Sequence, residues 1–130
     1  MKQAVEGPAP AGAYSSGILA SGRLVFVSGQ GPLVEGVPAL GTIEEETRLT
    51  LDNVGAVLEA AGASYASAVR CTVYLADIAD FGEMNAVYAG YFPDPKPART
   101  TVGAQLAGGI RVEIDCIAVA TDDVASRRAA

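Results

Sequence analysis

Apolar positions in the first third of the chain alternate in short runs. Residues 14–20, YSSGILA, and 23–28, RLVFVS, read as two strands joined as a hairpin around Ser21-Gly22. In the second run Leu24 and Phe26 point one way, and Val25 and Val27 the other. Both sets are apolar, so this strand asks for cover on both faces. The next stretch, SGQGPLVEGVPALG at 28–41, is rich in glycine and proline and reads as a loop.

The period then changes. Thr42-x-x-Glu45 has the form of a capping box, and Glu44, Glu45 and Glu46 suit the positive end of a helix dipole. Leu51, Val54, Leu58 and Ala61 make one apolar stripe at helical spacing, and Gly62 stops it. A helix is expected over 43–61. VRCTVYLA at 69–76 alternates as a strand, with Val69, Cys71, Val73 and Leu75 on one face. Asp80-x-x-Glu83 is a second capping-box candidate, opening a helix through Tyr91 with Phe81, Met84, Tyr88 and Tyr91 on one side. FPDPKP at 92–97 breaks it. Strand ARTTVGAQL at 98–106, a turn at Ala107-Gly108-Gly109 and strand RVEIDCIAVA at 111–120 follow. Residues 121–130 are expected to fray.

The order β-β-α-β-α-β-β defines one α+β domain over residues 1–120. Two helices cover one face of its sheet. The strand at 23–28 needs a cover on the other face, and the chain has no further helix to supply it. A second copy of the chain is the simplest source, so self-association is expected.

Composition narrows the chemistry. Half of the 130 residues are hydrophobic, which suits a single ordered domain. The formal charge is −6. So acidic a chain is a poor partner for nucleic-acid phosphates, whose binding relies on Lys and Arg, and for an anionic membrane surface. No apolar run approaches the ~18 residues that would suggest a spanning helix. The first twelve residues lack the apolar core of a secretory leader, so a cytoplasmic address is expected. Cys71 and Cys116 fall on strands and read as buried structural thiols. There is no histidine. That removes the commonest general base, a Ser-His-Asp triad and histidine metal ligands. Chemistry must come from carboxylates, Arg, Tyr, hydroxyls, thiols, backbone groups or water.

The last strand is the most informative. Arg111, Glu113, Asp115, Ile117 and Val119 share one face. Glu113 and Asp115 therefore stand in line with an apolar row, where a carboxylate is either paired or functional. Arg99 lies on the preceding strand, and antiparallel pairing across the turn would bring it near Glu113. It is either a strand-edge cation paired with Glu113 or Asp115, or a grip for an anionic small molecule. Thr101 shares its face. Ser28-Gly29-Gln30-Gly31 ends a strand with small residues and can offer backbone N–H groups to a ligand, or make an ordinary turn. It is no phosphate loop, since no Gly-Lys-Ser/Thr follows. By pattern alone, Tyr14 reads as packing, and Tyr88 and Tyr91 as core or interface.

Taken together, several stretches resemble the Rid family, also called the YjgF family. They are Gly12-Ala13-Tyr14; VFVSGQGP, 25–32; LDNVGAVLEAAG, 51–62; CTVYLADIADFGEMNAVYAGYF, 71–92; PART, 97–100; and RVEIDCIAV, 111–119. The resemblance implies a chorismate-mutase-like α+β sandwich, a sheet with two helices on one face, assembled as a homotrimer with clefts between subunits. It implies hydrolysis of reactive enamine and imine intermediates, such as 2-aminoacrylate or 2-iminopropionate, to 2-keto acids and ammonia, with no cofactor or metal. By the same resemblance Arg99 grips the substrate carboxylate and Glu113 handles the attacking water. Tyr14, Ser28, Gly29 and Asn85 line the cleft, with Tyr88 and Thr101 beside them. Thr101 stands where many deaminase members carry a cysteine, and the turn at 107–109 is shorter than the family's, so both bear on substrate choice and on the placement of Glu113. The alternatives are a trimer that binds small carboxylates without turning them over, a deaminase for a larger substrate, and an endoribonuclease or translation inhibitor. The acidic charge and the lack of histidine argue against the last.

Overall fold

The computed structural model describes residues 1–121. Its strands are β1 (Lys2–Ala4), β2 (Ile18–Ala20), β3 (Arg23–Gln30), β4 (Leu33–Val34), β5 (Val37–Pro38), β6 (Ala68–Leu75), β7 (Ala98–Gly103) and β8 (Val112–Ala120). Its helices are α1 (Ile43–Ala60) and α2 (Phe81–Tyr91). The central sheet has the order β3-β8-β6-β7. β8 runs antiparallel to both β3 and β6, and β7 runs parallel to β6. Two β-α-β units, β3-α1-β6 and β6-α2-β7, thus share β6, with β8 inserted between β3 and β6, and both helices fall on one face, as the α+β sandwich requires.

The helices form where the sequence signals them. Thr42 and Glu45 complete the capping box at the start of α1. Gly62, at φ 76°, turns the chain out of it. Leu51, Val54 and Leu58 are fully buried, as are Met84 and Tyr88 of α2. They pack on Cys71, Val73, Leu75, Val112, Ile114, Cys116 and Ala118 from the sheet. Each large apolar side chain sealed there contributes about 1.5–3 kcal/mol. Cys71 and Cys116 are free, buried and directly opposite each other across the β6–β8 pair, in keeping with structural thiols.

The other face of β3 lacks a cover among the described residues. Phe26 is 70% exposed and Leu24 47%, while Val27 between the helices and the sheet is buried. The need for cover read from the sequence is therefore present in the fold.

Several expectations are corrected. Residues 14–20 do not form a hairpin with β3. Only residues 18–20 are extended, and they pair with β1, a strand whose three residues are too few to show a pattern. The main chain at Ser21 binds Met1 instead. The loop at 28–41 contains the small β4–β5 hairpin. Asp80 caps nothing with its side chain; Asp77 does so, accepting from Ala79 N–H at the 3-10 turn before α2. The strand expected over 98–106 ends at Gly103. Most consequential, β7 does not pair with β8. It lies at the sheet edge beside β6, because a helix-length connection through α2 permits a parallel pair. The expected frayed tail lies, from residue 122 on, outside the described residues. Thr121 itself is tied by its N–H to the Gly62 carbonyl at 2.9 Å.

Candidate functional site

The register decides which residues meet. Arg99 stands beside Cys71, and Cys71 stands opposite Cys116, so all three lie on the helix side. Glu113 is three residues from Cys116 on an unbroken stretch of β8 and stands opposite Tyr74, on the open side. The expected proximity of Arg99 and Glu113 within one chain is overturned. The predicted residues gather instead in two groups.

The first surrounds Arg99. Its Nη1 donates to Asn85 Oδ1 at 2.7 Å. Its guanidinium carbon lies 4.7 Å from the centre of the Tyr88 ring, 5.5 Å from Phe81 and 5.7 Å from Tyr14. Three aromatic rings hold a cation by their negative faces without neutralising it. Tyr14 is steadied by the Ala11 N–H, which donates to its hydroxyl at 3.0 Å. At Gly12 the chain passes close by: a Cβ there would lie 3.6 Å from Arg99 Nη2. Burial pushes the Arg99 guanidinium down from its usual value, against the opposing pull of Tyr88, Cys71 and Tyr14. An arginine stays charged under such a shift. Burial also pushes the Tyr88 phenol far up, so it stays protonated. The hydroxyls of Tyr88 and Thr101 are buried and lack hydrogen-bond partners among the described residues. Among the described residues, no carboxylate lies within ion-pair distance of Arg99. The strand-edge pairing with Glu113 or Asp115 is thus not what holds it.

The second group surrounds Glu113. Between Val27 and Gln30 β3 advances three residues while β8 advances two, from Cys116 to Ile114. The extra residue makes a bulge at Ser28-Gly29, a feature that re-aims strands beside functional sites. The bulge carries Gly29 against the Glu113 side chain. A Cβ at Gly29 would lie 3.0 Å from Glu113 Cδ and 3.3 Å from Cγ, so only glycine leaves room for this carboxylate. Glu113 is half-buried and has no hydrogen-bond partner among the described residues. Asp115, next on the same face, is occupied: Tyr74 donates to its Oδ2 at 3.1 Å and Thr72 N–H to its Oδ1 at 3.2 Å. That bond raises the Tyr74 phenol. Ser28 and Gly29 also border a shallow hollow of about 290 Å³ with Phe26 and Ile117.

Tyr14, Asn85, Tyr88 and Thr101 thus fall with Arg99, and Ser28 and Gly29 with Glu113. Phe81 was placed by its sequence pattern in a core stripe, yet it lies over Arg99 and is 37% exposed. The spacing Phe81, Asn85, Tyr88 is itself helical, and reading that stripe would have found it. Tyr91, at the far end of the same helix, turns to α1 and donates to Asp52 Oδ1 at 2.8 Å.

Two helices on a mixed sheet define an α+β sandwich, with Arg99 boxed by aromatic rings on one face and the Glu113 carboxylate on the other. The chain belongs to the endoribonuclease L-PSP family, whose model matches residues 4–120; this is the Rid, or YjgF, family that the sequence resembles. It is 42% identical over 120 residues to the 2-iminobutanoate/2-iminopropanoate deaminase of Rattus norvegicus, covering 86% of this chain and 83% of that one. It is 44% identical over 117 residues to the chloroplastic Reactive Intermediate Deaminase A of Arabidopsis thaliana, covering 85% of this chain and 60% of that one. The crystal structure of yeast Mmf1 superposes with a TM-score of 0.71 at 35% identity, over 92% of this chain and 98% of that one. Among the described residues no helix is long and apolar enough to cross a membrane.

Proposed function

We propose that this protein is a deaminase that hydrolyses reactive 2-imino and enamine acids, of the 2-iminopropionate and 2-aminoacrylate type, to 2-keto acids and ammonia. The observation that carries the reading is Arg99: a half-buried guanidinium with no carboxylate partner among the described residues, steered by Asn85 and three rings. A planar 2-imino carboxylate is the anion its two parallel donors fit. The relatives named as imine deaminases support the same chemistry.

The site assembles where copies meet. Arg99 of one subunit faces Glu113 of the next across the cleft of a homotrimer, and the uncovered Leu24 and Phe26 face supplies the contact. Arg99 binds the substrate carboxylate. Backbone groups at Gly29 and Thr101 hold the ligand in place, and Tyr14 walls it, with the buried Tyr88 ring behind Arg99. Water adds to the C=N carbon as Glu113 takes its proton. Glu113 returns that proton to nitrogen to give a carbinolamine, then relays the carbinolamine hydroxyl proton to nitrogen as the C–N bond breaks, so that ammonia leaves and the carbonyl forms. Imines hydrolyse unaided, so orientation and one carboxylate suffice and no cofactor enters the scheme.

RNA cleavage, which the family description suggests, is disfavoured by a charge of −6. The test is direct. 2-Iminopropionate is generated from alanine by an amino-acid oxidase, and the surviving imine is trapped with semicarbazide. The parent should speed imine loss, and Arg99→Ala should lower that activity on the order of 100-fold. Equal rates with and without the parent would leave a carboxylate-binding trimer as the reading, to be checked by 2-keto acid titration.

A further inference from the structure

The Glu46 carboxylate has a task that helix capping does not explain. It lies in the first turn of α1, 1% exposed, while Thr42 and Glu45 already make the cap. Its Oε1 accepts the Arg111 N–H at 2.8 Å, and its Oε2 accepts the Gly41 N–H at 3.0 Å. Arg111 Nε is 3.6 Å from Oε2 and donates to the Gly41 carbonyl at 3.0 Å. A buried carboxylate is retained only where such partners offset its lost hydration.

These bonds converge on one point of the chain. Arg111 is the residue before β8, and its carbonyl accepts the Ala76 N–H at 3.0 Å. Its main chain is therefore held from both sides. Glu113 is two residues on, on the same face. The turn that precedes this point cannot fix it, since Gly108 and Gly109 sit at φ 74° and 73°, where glycine moves freely. The opposite wall is tied to the same helix: Asn53 donates to the carbonyls of Gly31 and Leu33 at 2.9 and 3.0 Å, just past Gly29.

We propose that Glu46 is a positioning residue: it fixes the start of β8 and thereby the place of the Glu113 carboxylate against Gly29. Strand register is what this fixing protects, because a slip of one residue would turn Glu113 to the helix side. The consequence for turnover rests on the acid–base role given to Glu113 above.

Glu46→Gln is the test. The amide keeps the shape but turns an N–H₂ toward a backbone N–H. The first readout is independent of activity: the pH titration of the Glu113 carboxyl carbon by ¹³C NMR. It should move in Glu46→Gln and stay in place in Thr42→Ala, which weakens α1 without touching Arg111. The second is kinetic. Imine turnover should fall on the order of 10-fold while 2-keto acid affinity at Arg99 stays within about two-fold. Added to Glu113→Gln, the substitution should cost nothing further. An unmoved Glu113 titration, or a loss that adds in full to that of Glu113→Gln, overturns the proposal. If the parent hydrolyses no imine, the deaminase reading fails and the titration alone decides on Glu46. If Glu46→Gln does not fold, Glu46→Asp, which keeps the charge and withdraws the oxygens, takes its place.

Discussion

Arg99 and Glu113 leave opposite faces of one sheet, Arg99 beside Cys71 on the helix side and Glu113 beside Tyr74 on the open side. Neither side chain can reach the other through a layer of packed strands. A substrate that touches both must lie between two chains. The exposed Phe26 and Leu24 supply an apolar contact for such a neighbour, on the face that carries Glu113.

Subunit mixing tests this arrangement. Arg99→Ala and Glu113→Gln should each be nearly inactive alone. Unfolded together and refolded as mixed oligomers, they should regain about a quarter of the parent rate, since in a closed ring about one site in four draws an intact residue from each side. The imine-trapping assay on the mixture reads it. Activity no higher than that of the separate variants would mean that one chain supplies both groups.

Gly29→Ala places a methyl where the Glu113 carboxylate now packs. The neighbour is the end of a side chain, so Glu113 can swing away and the fold survives. Turnover should drop on the order of 10–100-fold, with 2-keto acid affinity at Arg99 nearly unchanged. Circular dichroism and a binding titration separate this outcome from unfolding. Parental turnover would remove Gly29 and Glu113 from the chemistry.

The helices were legible because they are local. Thr42-x-x-Glu45 and the stripe Leu51, Val54, Leu58 need no knowledge of distant neighbours. Strand partners were not. The pattern of 98–103 says that Arg99 and Thr101 share a face, but not that β7 joins β6 in parallel. The hairpin drawn around Ser21-Gly22 failed for the same reason, since β1 competes for β2 from the far end of the chain. Arg99 itself was found through its family resemblance, whereas its aromatic box depends on α2 packing over β7. Phe81 was misread because periodicity marks a helix face without saying what that face covers. Glu46 was counted as a dipole charge; only its contact with Arg111 sets it apart from Glu44.

Phe26→Asp tests the open face. Phe26 is opposite Ile117 on β8, on the side without helices, and a carboxylate there leaves the core untouched. Sedimentation should report an oligomer for the parent and a smaller species for Phe26→Asp, with the melting temperature governed by the core alone. Imine hydrolysis should fall with assembly, and 2-keto acid affinity should weaken less. An unchanged sedimentation coefficient would move the contact elsewhere.

Alkaline pH should weaken the joint between the two helices. Burial, helped by the hydrogen bond to Asp52, pushes the Tyr91 phenol up to about 12 from its ordinary 10.0. Between these values the folded chain keeps a proton that the unfolded chain has released. Stability from this group is therefore complete below the unfolded value near 10.0 and is lost as pH rises through about 12. Tyr91→Phe removes both the bond and the proton. At pH near 8 it should lower stability by about 1 kcal/mol or less, as the bond is at the surface. The gap between the two proteins should narrow as pH climbs above about 10, where the parent begins to lose the same interaction. Urea midpoints measured over that range decide it. No gap at any pH would mean that Tyr91 acts through its ring, which phenylalanine keeps and which lies 5.5 Å from Tyr65, and not through its hydroxyl.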